Sequence, residues 1–261
     1  MLRSRDRSEW LAGLAAAAFL SIAHGALAQS AAIPAHIASA IVNPARSEND
    51  RKADSSRKPA ELLAFAGVKQ GERVLELIPG GGYFARIFSG VVGPSGKVFE
   101  LVATEETRTT TKNLDAANVI AADPAFRGIS VLHQPIAEIK TPEQVDLVWT
   151  SQNYHDFHNK SFGPADIAAF NKAVFNALKP GGVFMVVDHA AEAGSGLRDT
   201  ETLHRIDPAS VKTEVEAAGF TLEARSDLLQ DKDDTHLTRI FDPTIRGKTD
   251  KFVFKFRKPA K

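Results

Sequence analysis

The sequence predicts an α/β protein: a doubly wound, mostly parallel seven-stranded sheet with one antiparallel strand near the C-terminus. Three observations predict it. From Pro59 onward, short apolar runs alternate with helical stretches at close spacing, the pattern of strands joined by crossover helices. The runs RVLELI and GVFMVVDH are apolar almost throughout, as strands covered on both faces are. The last two runs, FTLEARSDLL and KFVFKFRKP, have no helical stretch between them, so one of them should run against the others.

The elements follow in order. PAELLAFAGV reads as a short helix with proline in its first turn and Gly67 as its stop. RVLELI is the first strand, GYFARIFSGVVG a helix and KVFELV the second strand. Thr104 to Ala121 reads as helical, with polar residues for a solvent-facing side. GISVLH and VDLVWT are the third and fourth strands, and Gly163 to Leu178 is a helix. GVFMVVDH is the fifth strand, and Asp207 to Ala217 a helix that opens Asp-Pro. FTLEARSDLL is the sixth strand. KFVFKFRKP alternates Phe and Val with Lys and Arg, which predicts a strand with one buried face and solvated charges. Residues 231–249 read as a loop.

The N-terminus is of a different kind. MLRSRDRSEWLAGLAAAAFLSIAHGALAQS has Arg3, Arg5 and Arg7, then a run of small apolar residues, then Ala26-Leu27-Ala28. This is the pattern of a secretory signal peptide cleaved after Ala28, which implies an exported, periplasmic protein. A short anchor helix is the alternative. No other segment is apolar enough for long enough to span a membrane. Residues 29–58 read as a leader packed on the domain, with a short helix at 34–42, and residues 59–261 as the domain itself. The chain has no cysteine, so it stands without disulfides. It has 32 basic and 32 acidic residues, a balance that gives no reason to expect a nucleic-acid partner.

The first strand ends in VLELIPGGGYF. Glycines between a strand and a helix leave room for a ligand to approach the backbone and the free N–H groups of the helix. The spacing fits neither G-x-G-x-x-G, whose third position would be Ala85, nor G-x-x-x-x-G-K-[ST]. What remains is Glu76 on the strand, with Gly80, Gly81 and Gly82 after it. This resembles the first motif of the class I S-adenosylmethionine-dependent methyltransferases, usually acidic-x-Gly-x-Gly-x-Gly. LKPGGVFMVVDH (Leu178 to His189) resembles that superfamily's turn into its fifth strand, and VEAAGF (Val215 to Phe220) its turn into the sixth. More narrowly, RKPAELLAFAGV, PGGGYF, QNYHDF, VVDHAAEAGSGLRDTETLHRID and DKFVFKFRKP together resemble a family of exported bacterial proteins described as predicted methyltransferases.

The resemblance implies a class I methyltransferase-like Rossmann fold, S-adenosyl-L-methionine as cofactor and a small-molecule substrate. It places Glu76, Gly80, Gly81 and Gly82 at the cofactor's methionine end. The acid that usually grips the ribose would fall at Val102, so Glu100, two residues earlier, or Glu105, three later, is the substitute. Gln134 is the candidate for the adenine edge. Ile78 stands where the motif has its first glycine and should leave the loop bulkier.

A second concentration of chemistry lies after the fourth and fifth strands. It comprises Gln152 to His158, Asp188-His189, Glu192, and His204-Arg205-Ile206-Asp207. Methyl transfer needs an aligned nucleophile and often a base, and histidine suits that role near neutral pH. His155, His189 and His204 are the acid/base candidates, with Asp188 orienting a neighbour. Each histidine taken singly is as well read as a structural hydrogen-bonding residue. A metal site drawn from His155, Asp188, His189, Glu192 and His204 is a rival, though the spacing matches no metal motif. A methyltransferase-fold module without catalysis, binding another small ligand, is the other. Asp207 reads as a helix cap and Arg205 as a partner for a carboxylate.

Overall fold

The computed structural model describes residues 32–105, 110–162 and 165–261. The expected signal peptide, residues 1–28, and its cleavage after Ala28 lie outside the described residues. In chain order the described elements are α1 (Ala35–Ile41), α2 (Glu48–Arg57), α3 (Pro59–Ala66), β1 (Arg73–Leu77), α4 (Tyr83–Val92), β2 (Lys97–Ala103), α5 (Thr110–Ala122) and β3 (Ile129–Gln134). They continue with β4 (Val145–Ser151), α6 (Ile167–Ala177), β5 (Leu178–His189), α7 (Thr200–Leu203), α8 (Pro208–Ala217), β6 (Thr221–Ser226) and β7 (Lys251–Arg257). No helix among the described residues is long and apolar enough to cross a membrane.

The strands form one seven-stranded sheet in the order β3-β2-β1-β4-β5-β7-β6. Strands β1 to β5 are parallel, and β7 runs antiparallel to both β5 and β6. The chain runs outward from β1 to β3 and then crosses back to β4. The strand order therefore reverses between β1 and β4, where a doubly wound sheet leaves a crevice at its carboxyl ends. One apolar core lies between the sheet and α1, α3 and α4, with Leu63, Phe84, Phe88 and Trp149 fully or almost fully buried. A second fills the other face, with Leu75, Phe157, Phe170 and Phe184.

Local chemistry sets most boundaries as expected. Pro59 opens α3 and Gly67 closes it at φ 79°. The Asp207 side chain accepts from Ala209 N–H at 2.9 Å and Pro208 follows it, so α8 starts where Asp-Pro predicted. Some boundaries differ. Helix α6 begins at Ile167, not at Gly163, because the Asp166 carboxylate caps it by accepting from Ala169 N–H. Strand β5 takes in the Leu178-Lys179-Pro180 segment, with a register shift against β4 between Val145 and Leu147. Strand β6 stops at Ser226. The helix expected from Thr104 starts at Thr110, and residues 106–109 lie outside the described residues.

Helix α2 was not legible in ENDRKADSSR, which has no apolar stripe. Ser47 caps it, and ion pairs hold it down. The Arg46 guanidinium is fully buried and donates to Asp54 at 2.9 and 2.6 Å, and Asp54 also accepts from Tyr83 OH at 2.5 Å. Asp50 takes two bonds from Arg86 of α4 at 2.6 and 3.0 Å. Helix α1 passes so close to α4 that a Cβ on Gly90 would lie 2.9 Å from that of Ala40.

The expectation for β7 needs correction. It is an interior strand, so its charges are not simply solvated. Lys251 is only 6% exposed, and Lys255 and Arg257 pair with Glu223.

Candidate functional site

A cavity of about 440 Å³ opens at the carboxyl ends of β1, β4 and β5. Its first wall is the loop after β1. The glycine triplet splits by role. A Cβ added to Gly80 or Gly81 would meet nothing within 4 Å, and both line the cavity. A Cβ on Gly82 would lie 2.1 Å from Ile120 Cδ1 of α5, and its φ is 73°. Gly82 is therefore required by packing and by conformation, and it does not line the cavity.

Ile78 sits at φ 52°. The glycine of the resembled motif is thus replaced where glycine is favoured for its backbone, at a cost of about 1–2 kcal/mol for a side-chain-bearing residue. The surroundings hold it there. Its N–H donates to Leu101 O at 2.9 Å, and its carbonyl accepts from Asn153 Nδ2 at 3.1 Å. Gln152, at φ 64°, and His204, at φ 54°, share this left-handed conformation. Strained backbone therefore gathers at the ends of β1 and β4 and beside them.

Beneath the loop, Glu76 pairs in register with Glu100 on one side and Trp149 on the other. All three are buried, and Glu76 Oε2, both Glu100 oxygens and Trp149 Nε1 have no hydrogen-bond partner among the described residues. Burial, then the neighbouring Glu100 carboxylate, pushes the Glu76 carboxyl well above its ordinary range. Burial lifts Glu100 to about 7, with Arg86 opposing. Orphaned oxygens in such a place suit a ligand cation or an ordered water. Glu76 lines the cavity; Glu100 and Gln134 do not. The Gln134 amide is consumed by the Lys140 backbone, at 2.9 and 3.1 Å, and Glu105 Oε1 accepts from Ile136 N–H.

The second wall comes from β4 and β5. His155 is 1% exposed and Asp188 is fully buried. Asp188 accepts from the His155 backbone N–H at 2.7 Å and from its Nδ1 at 2.9 Å. His155 Nε2 then faces Asp156 Oδ1 and His204 Nδ1, each at 3.3 Å. Burial alone would push His155 down, but the Asp188 and Asp156 carboxylates outweigh it and hold its proton to about 10. His189 behaves oppositely. Burial, then the positive His155, Lys251 and Arg205, keep it neutral, well below its ordinary value. Its Nδ1 is 2.8 Å from Thr249 Oγ1, and its Nε2 takes no partner among the described residues. Glu192, expected near this group, is exposed and pairs with Arg198 at 3.0 Å. Arg205 is fully buried and pairs with Asp234 at 2.8 Å.

Three cavity residues were missed from sequence. Asp156 lies between two named histidines without being singled out. Arg57, in the leader, stacks over the Tyr83 ring at 4.6 Å, and burial lowers its pKa. Lys251 donates to Thr249 O at 2.7 Å, and burial followed by Arg57 brings it down to about 8. Neither cation has a carboxylate partner among the described residues. The signal for Lys251 was its position at the start of an apolar strand, beside Asp250.

No family model matches the sequence, and no curated protein matches it. Solved structures do. The (4+2)-cyclase SpnF is 16% identical with a TM-score of 0.57, over 81% of this chain and 82% of that one. An S-adenosylmethionine-dependent methyltransferase from Mesorhizobium loti is 18% identical with a TM-score of 0.54, over 78% of this chain and 99% of that one. The glycopeptide N-methyltransferase MtfA, complexed with S-adenosyl-L-methionine, is 14% identical with a TM-score of 0.52, over 79% of this chain and 94% of that one. The strand order, the antiparallel β7 and these likenesses agree: the chain has the fold of the class I S-adenosylmethionine-dependent methyltransferases.

Proposed function

We propose that this protein transfers a methyl group from S-adenosyl-L-methionine to a small molecule. One observation carries the reading most: an open glycine cradle, Gly80-Gly81, beside a buried carboxylate, Glu76, with an unpartnered oxygen. These residues fit the cofactor's methionine end. Glu76 would take its ammonium, Arg57 its carboxylate, and the cradle its backbone-like chain. Bound there, the cofactor supplies an electrophilic sulfonium methyl. The residues opposite have distinct work. His189 is neutral, and its Nε2 has no partner among the described residues, so it can take the acceptor's proton. His155 is held in place, and its charge balanced, by Asp188. The signal-peptide pattern of residues 1–28 supports a periplasmic setting for this activity. Calorimetry on the full chain with S-adenosylmethionine and S-adenosylhomocysteine tests the proposal; binding of both in the micromolar range is expected, and none at millimolar concentration overturns it.

A second reading rests on the adenosine half. Val102 stands at the usual ribose acid, Glu100 is outside the cavity, and Gln134 is tied to Lys140. SpnF, a cyclase, has the same fold. A module binding another small ligand meets those facts. Native mass spectrometry of gently purified protein separates the two, since a co-purifying ligand without a sulfonium supports the second.

A further inference from the structure

Asp156 closes a triangle. His155 Nε2, His204 Nδ1 and Asp156 Oδ1 lie 3.3 Å from one another along every edge. Charge-assisted hydrogen bonds to a carboxylate are shorter, about 2.7–2.9 Å. Three atoms with such edges are each about 1.9 Å from their common centre, so an ion just off their plane would lie about 2.0–2.1 Å from all three, the distance at which first-row divalent metals bind imidazole and carboxylate. Among the described residues this is the group whose donor atoms converge in that way. We propose that His155, Asp156 and His204 hold a first-row divalent cation at the wall of the cavity.

Three further observations fit. Two imidazoles and one carboxylate on one side of an ion leave its other positions open, and His155 and Asp156 both line the cavity. Asp188 accepts from His155 Nδ1 at 2.9 Å, so a metal that displaces the Nε2 proton meets a ring already held by its other nitrogen, the usual support of a metal-bound histidine. His204 closes α7 in a left-handed conformation that an ordinary histidine avoids, and this brings its ring perpendicular to that of His155, centroids 5.3 Å apart. One neighbour must yield. Arg239 NH2 stands 3.3 Å from His204 Nε2, where a metal-bound ring presents an N–H, and Arg239 is exposed and free to turn away. The ligand set differs from the rival one drawn from the sequence: Asp188 supports a ligand, His189 turns to Thr249, and Glu192 is on the surface. The cation's open positions would take an oxygen of the bound molecule and acidify it. The site does not depend on the methyl-transfer reading.

The probe is Co2+ added to the full chain after chelator treatment. A visible d–d band should saturate at one equivalent and be displaced by Zn2+. Asp156→Asn and His204→Asn should each weaken binding at least about ten-fold, with circular dichroism unchanged; asparagine tolerates the His204 backbone. In the unsubstituted protein, Co2+ should shift the imidazole NMR signals of His155 and His204 far more than those of His236, which requires no variant. No band at millimolar Co2+, undiminished binding in both folded variants, or shifts centred elsewhere would overturn the site. None of these readouts involves S-adenosylmethionine, so such a failure leaves the methyl-transfer proposal standing.

Discussion

Ile78 and the glycines after it show how much one residue's backbone can decide. Read from sequence, Ile78 was a matter of bulk. In the fold it is a matter of φ, which no pattern of apolar residues reveals. Replacing a half-buried isoleucine by glycine ordinarily costs lost burial, about 1–2 kcal/mol for a side chain of this size only partly removed from water. Here relief of about 1–2 kcal/mol of left-handed strain offsets it. Ile78→Gly should therefore change stability by less than about 1 kcal/mol in urea titrations, and bind S-adenosylmethionine at least as well as the parent. Gly81→Val is the complementary test. Gly81 has no positive φ and open space around its Cα, so thermal melting should barely move while cofactor affinity falls at least ten-fold. An equal loss of stability would mean that the loop is held for packing alone. The sequence could not divide PGGG into two residues facing the cavity and one facing Ile120, because that division depends on where α5 lies.

Strands were the most legible elements. Short apolar runs bounded by turn signals read as strands, and all seven were found, with the choice of which of the last two runs against the others left open. The buried charges within them were less legible. Glu76 and Glu100 sit side by side only because β1 and β2 pair in that register. The effect on stability has a definite sign. Folding raises the Glu100 pKa from 4.5 to about 7, so the folded chain keeps a proton that the unfolded chain gives up. Its contribution is intact below pH 4.5 and is lost as pH rises through 7. Glu100→Gln should thus raise stability at pH 8 by roughly 3 kcal/mol and leave it unchanged at pH 4, as read by urea midpoints at the two pH values. Helix α2 and Lys251 escaped for related reasons. One is held by ion pairs to distant residues, and the other is buried by a strand order that the alternation of KFVFKFRKP does not encode.

Across the whole molecule, the N-terminal helices are joined to the cavity end of the sheet. Arg46, Asp54 and Tyr83 form one buried network, and Tyr83 also lines the cavity and carries Arg57 on its ring. Removing one partner of a buried ion pair leaves a charge uncompensated, which costs about 3–5 kcal/mol. Asp54→Ala should lower stability by about 3 kcal/mol and weaken ligand binding together, since Arg57 loses its seat. Full stability with unchanged affinity in that variant would show the leader to be a passive attachment.

The place of β7 has a consequence for how the molecule is made. It follows β6 in the chain but lies between β6 and β5. Until residues 251–257 have been synthesised, β5 has a bare edge, β6 has nothing to join, and the cavity lacks Lys251. Neither core can close on a nascent chain shorter than that. For the export proposed above, a sheet whose keystone strand arrives so late is a built-in delay against folding too soon.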